Sequence, residues 1–405
     1  MRGVRVLPSP APDDAPLLLE ALGRALAGTG PALLPVPDGA PGRALLDAAS
    51  LGAAPPGAGA DGDADGDGGV ALLLATSGST GAPKLVELGA AALLASARAS
   101  AQRLGGHAQW LLALPLLHVA GWQVLVRSAA AGTEPVAVGE RERSDPRAVA
   151  AAIARMSGER RCTALVPTQL VRLLEHPGAA AALAGLDAVL LGGAASAPAL
   201  LERARAAGVR VVTTYGGTET SGGCVYDGIP LDGVAVAVEP DGRVLLGGPV
   251  LARGYRGDPA GTARAFVRRE GRRWFATSDL GRVGPDGALR VLGRLDDVLV
   301  TGGAKVAPAA VEAVLGGLPG VAQALAVAVP DPEWGQRVVA LLVPARGAPG
   351  PPDLAAVRAA VTARLGAPSA PRELLVVDAL PERGVGKPDR AAAAALAVRL
   401  LEAGG

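Results

Sequence analysis

The stretch from residue 70 to residue 88 constrains the fold more than any other. An apolar run, Val70 to Ala75, leads into Thr76-Ser77-Gly78-Ser79-Thr80-Gly81-Ala82-Pro83-Lys84, and a second short apolar run, Leu85 to Leu88, leads out. The pattern predicts a strand, an anion-gripping loop and a strand. Gly78 and Gly81 let backbone N–H groups turn toward a phosphate, the hydroxyls of Thr76, Ser77, Ser79 and Thr80 add donors, and Lys84 supplies positive charge. The loop is not of the Walker type, which needs four residues between its glycines and then Lys-Ser/Thr; here two separate Gly78 from Gly81, and Lys84 comes three later. Taken alone, the loop leaves a Ser/Gly-rich surface turn open as the alternative.

The chain has 405 residues, enough for a large core and two unequal domains. Its 39 Lys plus Arg against 38 Asp plus Glu leave a formal charge of +1, so no basic field advertises nucleic acid or an anionic membrane, and the expected partners are small molecules. Cys162, near a predicted strand, and Cys224, in a glycine-rich turn, are too few for a disulfide scaffold or a Cys-based zinc site. Met1 to Pro16 has no continuous apolar core of a signal peptide, and no later stretch offers a membrane span. These features predict a cytoplasmic protein with no membrane insertion, and leave a homodimer open. Aromatic residues are only 2% of the chain, so the core must be built from Leu, Val and Ala, and an aromatic at a motif is unusually informative.

Residues 1–50 alternate helical segments such as Leu17 to Leu26 with Pro/Gly breaks. Ala53 to Gly69 is a Pro, Gly and Asp tract read as a loop; its Asp61, Asp63, Asp65 and Gly66 imitate the start of a calcium loop, but Leu72 stands where the final ligand belongs. From Val70 to Thr213 strands alternate with helices, which predicts a layered α/β domain. After Gly233 short strands and Asp-Gly turns at 241–242 and 286–287 predict hairpins in a small β unit. The expected architecture is a large amino-terminal domain, 1–293, and a small, mobile α+β carboxy-terminal cap, 294–405.

Five segments, in order, carry a resemblance: the loop 76–84, Tyr215-Gly216-Gly217-Thr218-Glu219-Thr220, Ser278-Asp279, Gly293-Arg294-Leu295-Asp296-Asp297, and Gly386-Lys387-Pro388-Asp389-Arg390. Together they resemble the adenylate-forming superfamily of acyl-CoA synthetases, luciferases and peptide-synthetase adenylation domains, over roughly residues 70–390. Departures are a short amino terminus, Gly217 where a larger residue is common, and few aromatics. The resemblance implies that a carboxylate is activated as its acyl-AMP, with ATP, Mg²⁺ and coenzyme A as partners. It implies that Thr76, Ser77, Ser79, Thr80 and Lys84 hold the β and γ phosphates and that Thr218 contacts the α-phosphate.

A single carboxylate, Glu219, is enough to help hold Mg²⁺, which keeps phosphate oxygens and waters as its other ligands; a solvated turn residue is the plain reading. Tyr215 offers a face to adenine, against a core tyrosine, and Gly192 and Gly193 permit close approach of adenine and acyl group. Asp279 and Arg294 resemble the pair that holds the ribose hydroxyls, against surface ion pairing. Asp296 matches the hinge about which the cap rotates. Lys387 matches the lysine that reaches the bond being formed, against a solvated surface lysine. Gly302, Gly303 and Lys305 match a loop that faces coenzyme A after rotation, against a plain hairpin turn. His118 matches a position between nucleotide and acyl pockets; His107 and His176 lie outside any motif. No Gly-x-Ser-x-Gly elbow supports serine catalysis with His118.

Residues 219–233 resemble the actinobacterial o-succinylbenzoate-CoA ligases of menaquinone synthesis. Small residues Ser221 and Gly222, with His118 and Gly193, would leave room for a flat aromatic acid. Its second carboxylate would require a cation or several donors, for which Arg127 is a candidate and a solvated helix arginine the alternative. Other acyl- or aryl-CoA ligases, carrier-protein-loading modules and a non-catalytic nucleotide binder remain as rivals.

Overall fold

The structure, a computed structural model, describes residues 3–51, 69–77, 83–345, 347, 350–382 and 388–404. Gly78, Ser79, Thr80 and Gly81 of the anion loop, the Asp61, Asp63 and Asp65 tract, and Lys387 therefore lie outside the described residues.

The fold is α/β with a large amino-terminal and a small carboxy-terminal part. One sheet is ordered Val4–Pro8, Ala32–Val36, Val70–Ser77, Pro83–Gly89, Gly254–Tyr255, with the first three strands parallel. The strand pair around the anion loop is antiparallel, and its register sets Thr76 opposite Lys84. Two strands in this sheet, Val4–Pro8 and Ala32–Val36, correct the helix-and-break reading of residues 1–50. Ala32–Val36 is buried at every position, so it carries no alternation by which a strand could be recognised.

A second sheet runs Ile229–Pro230, Gly222–Tyr226, Val211–Gly217, Ala188–Leu191, Arg161–Leu165, Gln109–Leu112, Val136–Ala137. It is parallel from Val211–Gly217 to Val136–Ala137 and turns antiparallel at Gly222–Tyr226. Both faces are covered. Trp110, Leu112, Cys162 and Leu190 pack in one core with Leu93, Trp122 and Leu72, whereas Leu111, Leu165, Val189 and Leu191 pack in another with Leu170, Leu173 and Leu183. Successive strand residues thus enter opposite cores, which is why these strands read as continuous apolar runs. Cys224 lies in the Gly222–Tyr226 strand, not in a turn; the glycines before it are the bulged start of that strand.

A third sheet, Ala235–Val238, Arg243–Gly247, Arg272–Val283 and Phe266–Arg269, with Leu289–Arg294 paired to Arg272–Val283, is the expected β unit. The cap contains the hairpin Leu299–Thr301/Ala304–Val306, a sheet of Val321–Asp331, Gly335–Pro344 and Glu373–Val376, and helices Pro308–Leu315, Leu354–Leu365 and Arg390–Gly404.

Candidate active site

The site residues gather where the second sheet changes from parallel to antiparallel, at the carboxyl ends of its strands. Open α/β sheets bind ligands outside the carboxyl ends of their parallel strands. Ala188–Leu191 ends just before Gly192 and Gly193. A Cβ on Gly192 would lie 2.3 Å from Thr214 Oγ1, and Gly193 has φ +82°, so neither position tolerates a larger residue without movement.

The adjacent strand, Val211–Gly217, carries Tyr215 and then tightens into the 3₁₀ turn Thr218–Thr220. The Tyr215 hydroxyl donates to Asp279 Oδ2 at 2.7 Å, and burial together with the Asp279 charge pushes that phenol above its ordinary pKa. Asp279 is fixed from below as well, its N–H donating to Thr277 Oγ1 at 3.0 Å. Arg294 lies directly across the strand pair from Asp279, with its guanidinium 3.9 Å from Asp279 Oδ1 and 3.3 Å from Asp296 Oδ2. Both contacts are partly solvated and long, so they hold the arginine near the site without consuming it.

Glu219 forms the second half of the cluster. Its carboxylate accepts a hydrogen bond from Tyr255 at 3.1 Å, and the Lys84 ammonium sits 4.8 Å from the centroid of the same ring. Burial raises the Glu219 pKa, while Tyr255, Lys84 and Arg294 pull it back down. Lys84 and Arg294, predicted from motifs far apart in the chain, therefore act on one carboxylate.

Several expected residues stand apart from that cluster. Ser221 is fully buried with φ +53°; its hydroxyl donates to Val250 O at 2.9 Å, and its carbonyl accepts from Gln123 Nε2 at 2.6 Å and Ser96 Oγ at 3.1 Å. Gly222 is packed against Gln123. These two shape a wall rather than offer free donors. His118 is exposed at the N-cap of the Val119–Ala131 helix. Asp296, Gly302, Gly303 and Lys305 are exposed, the last three on the cap hairpin, so the local structure there is the hairpin turn.

Arg127 corrects the solvated-helix reading. It is 7% exposed, with its guanidinium carbon 4.7 Å from the centroid of Trp110 and Nη2 3.3 Å from the Tyr226 hydroxyl, and its Nε has no hydrogen-bond partner. Among the described residues no carboxylate pairs with it. Gln123, one turn earlier on the helix, has its buried Oε1 unpartnered too.

Tyr255 was not anticipated. Its signal was available, since it is one of three tyrosines in the chain, and all three occupy key positions: Tyr215 on Asp279, Tyr255 on Glu219, and Tyr226 on Arg127.

Among the described residues no group of three or more His, Cys, Asp or Glu could hold a metal by itself. The donor set nonetheless suits Mg²⁺ bound mainly by phosphate and water, because Glu219 is a desolvated carboxylate whose charge a nearby cation would restore.

Comparison with known proteins shows what this chain is similar to. The AMP-binding enzyme family matches residues 57–256, and the AMP-binding enzyme C-terminal domain matches residues 310–387. The chain is 48% identical to the probable 2-succinylbenzoate–CoA ligase of Mycobacterium tuberculosis, over 96% of this chain and 97% of that one. Escherichia coli MenE with a bound analogue of OSB-AMS superposes with TM-score 0.73 at 27% identity, covering 98% of this chain and 89% of that one. Bacillus subtilis o-succinylbenzoate coenzyme A synthetase in complex with ATP and magnesium ion superposes with TM-score 0.66 at 29% identity, covering 80% and 70%.

Proposed function

This chain belongs to the AMP-binding, adenylate-forming enzymes, and from that premise we propose that it joins o-succinylbenzoate to coenzyme A in two steps at one site. In the first, a substrate carboxylate oxygen attacks the α-phosphorus of ATP and pyrophosphate leaves. In the second, the thiol of coenzyme A attacks the acyl carbon and AMP leaves. The observation that carries this reading is the single cluster of Lys84, Tyr255, Glu219, Arg294, Asp279 and Tyr215.

The first step brings two anions together, so positive charge must be in place before the reaction. Lys84 and the loop hydroxyls Thr76, Ser77, Ser79 and Thr80 serve the polyphosphate. Glu219 would hold Mg²⁺, which neutralises phosphate charge when bound. Tyr255 keeps the Glu219 carboxylate aimed. Asp279 accepts from the ribose hydroxyls, Arg294 donates beside it, Tyr215 packs on adenine, and Thr218 meets the α-phosphate. Lys387 supplies the charge at the forming bond. Rotation about Asp296 then exchanges Lys387 for the Gly302, Gly303 and Lys305 hairpin, which faces the arm of coenzyme A.

Arg127 deepens the substrate assignment. A buried guanidinium without a counter-charge is costly, and o-succinylbenzoate has a second carboxylate that the reaction does not consume. Gln123, on the same helix face, already lines Ser221 and Gly222. His118 and Gly193 then flank the aromatic ring. Free, buried cysteines fit the cytoplasm: burial pushes the Cys162 thiol up to about 11 and Cys224 to about 12, so both stay as thiols. Among the described residues no helix is long and apolar enough to cross a membrane.

The test is incubation with ATP, Mg²⁺, o-succinylbenzoate and coenzyme A, with the thioester read by mass and the nucleotide product by chromatography. AMP and pyrophosphate are expected; ADP would overturn the reaction. Arg127→Leu should raise KM for o-succinylbenzoate about 100-fold while leaving thermal stability equal or higher, since it removes an unpaired buried charge. A fall in stability with KM unchanged would make Arg127 structural.

A further inference from the structure

Two helices and a strand meet along a buried polar seam. Ser96 and Ser100 lie one turn apart on the Ala90–Arg103 helix, Gln123 and Arg127 lie one turn apart on the Val119–Ala131 helix, and both pairs reach the Gly222–Tyr226 strand or the residue before it. The contacts form two rungs. In the first, Ser96 Oγ and Gln123 Nε2 donate to Ser221 O at 3.1 and 2.6 Å, so two neutral donors end on one carbonyl. In the second, Ser100 Oγ and Arg127 Nη2 lie 2.9 and 3.3 Å from the Tyr226 hydroxyl. Ser100, Arg127 and Tyr226 are all buried.

The second rung differs because it carries a charge. A guanidinium only donates, so the Tyr226 oxygen accepts from Arg127 and its own proton goes to Ser100 Oγ. Among the described residues Nη2 is the only guanidinium nitrogen of Arg127 with a hydrogen bond, and buried Nε has none. The face of Trp110, 4.7 Å from the guanidinium carbon, is the second restraint. Cys162 stands opposite Trp110 on the neighbouring strand, and burial, followed by the charge of Asp187, pushes its thiol up to about 11, so it offers no counter-charge. The groups that orient the guanidinium are therefore neutral, a phenol oxygen and an indole face. They aim it without cancelling its charge, whereas a carboxylate in the place of Tyr226 would satisfy it outright.

We propose that Tyr226, backed by Ser100, is a positioning residue: it accepts from Arg127 Nη2 and so aims the unpartnered edge of the guanidinium at a substrate carboxylate, which makes the pocket select a dianionic acid over a monoanionic one. The proposal rests on the ligase reading above. Because the guanidinium is a rigid plane, one hydrogen bond and one stacked face are enough to fix the direction of its remaining nitrogens. Tyr226 is also placed beside the wall of the acyl pocket. A Cβ on Gly223 would lie 3.0 Å from Thr214 and 3.5 Å from the Tyr226 ring, and Gly192 abuts the same Thr214.

The probe is 4-oxo-4-phenylbutanoate, which is o-succinylbenzoate without the carboxylate on the ring. The full-length wild-type enzyme should favour o-succinylbenzoate by about 100-fold in kcat/KM. Tyr226→Phe should raise KM for o-succinylbenzoate about tenfold, the value of one hydrogen bond to a charged group, with kcat and the KM for the monoacid unchanged. In an Arg127→Leu background the same substitution should change neither acid. A merely structural tyrosine gives the opposite pattern: both acids suffer alike, the loss persists without Arg127, and either result overturns the proposal. Ser100→Ala, which takes away only the acceptor of the phenol proton, should act in the same direction by about threefold. If Tyr226→Phe does not fold, this variant decides, since equal losses for the two acids overturn the proposal and a loss confined to the diacid sustains it. Should the protein form no thioester from o-succinylbenzoate, the ligase reading fails by itself. Calorimetric titration of o-succinylbenzoate into the wild type and Tyr226→Phe then decides: weaker binding by the variant sustains the positioning role, and equal binding or none ends it.

Discussion

The residues around Glu219 and those around Gly302 hold their chemistry in opposite ways. In the large domain each ionic group is half-buried or tied to a fixed neighbour: Tyr215 grips Asp279, Tyr255 grips Glu219, and Lys84 rests on the Tyr255 ring. In the cap the backbone is braced but the tip is bare. The Gly302 N–H donates to Trp334 O at 3.0 Å, a Cβ there would come within 2.2 Å of the Trp334 ring, and Arg372 stacks on that ring at 4.3 Å. Lys305 nevertheless points from an exposed position. Arg390 bolts the last helix to Asp297 at 3.1 Å and to Glu312, so the cap is also firm internally. The contrast has a physical reason. Under the proposed mechanism, charge that must meet a transition state is most effective when already oriented, whereas a group needed in only one of two steps would be carried by a stiff body yet remain uncommitted at its end.

Three substitutions probe that contrast. Glu219→Gln should have the largest effect, on the order of 1000-fold in acyl-AMP formation, because it removes an oriented charge. Pyrophosphate release checks it, and an effect under tenfold would place Glu219 outside the machinery. Lys387→Ala should cost on the order of 100-fold in acyl-AMP formation yet largely spare thioester formation from supplied acyl-adenylate, as expected of a group used in one step. Equal losses in both half-reactions would break the distinction between fixed and exchanged groups. Tyr255→Phe should be mildest, about fivefold, the value of one hydrogen bond. Its signature is in the pH profile. Burial already raises the Glu219 pKa and Tyr255 lowers it, so loss of the hydroxyl raises it further and moves the acidic limb of kcat/KM to higher pH. A shift to lower pH would assign that limb to another group.

Much of the architecture was legible because local rules were obeyed. The apolar runs of the parallel sheet, the Asp-Gly hairpins and the helices Pro308–Leu315 and Leu354–Leu365 are each encoded within a few residues. Ala32–Val36 was not legible, since a short strand buried on both faces lacks periodicity. Arg127 was left open between a pocket cation and a solvated helix arginine for a related reason. A helix position reports burial only through the residues packed on it, and here Trp110 and Tyr226 come from other strands.

The amino-acid order determined which chemical groups this protein possesses: hydroxyls and a lysine around a glycine loop, a glutamate and an aspartate in separate motifs, and a late lysine. Folding decided which of them act together. Tyr215 and Asp279 are 64 positions apart and Tyr255 and Glu219 are 36 apart, and their hydrogen bonds exist only because strands from different sheets converge. Local propensity contains no term for such closure.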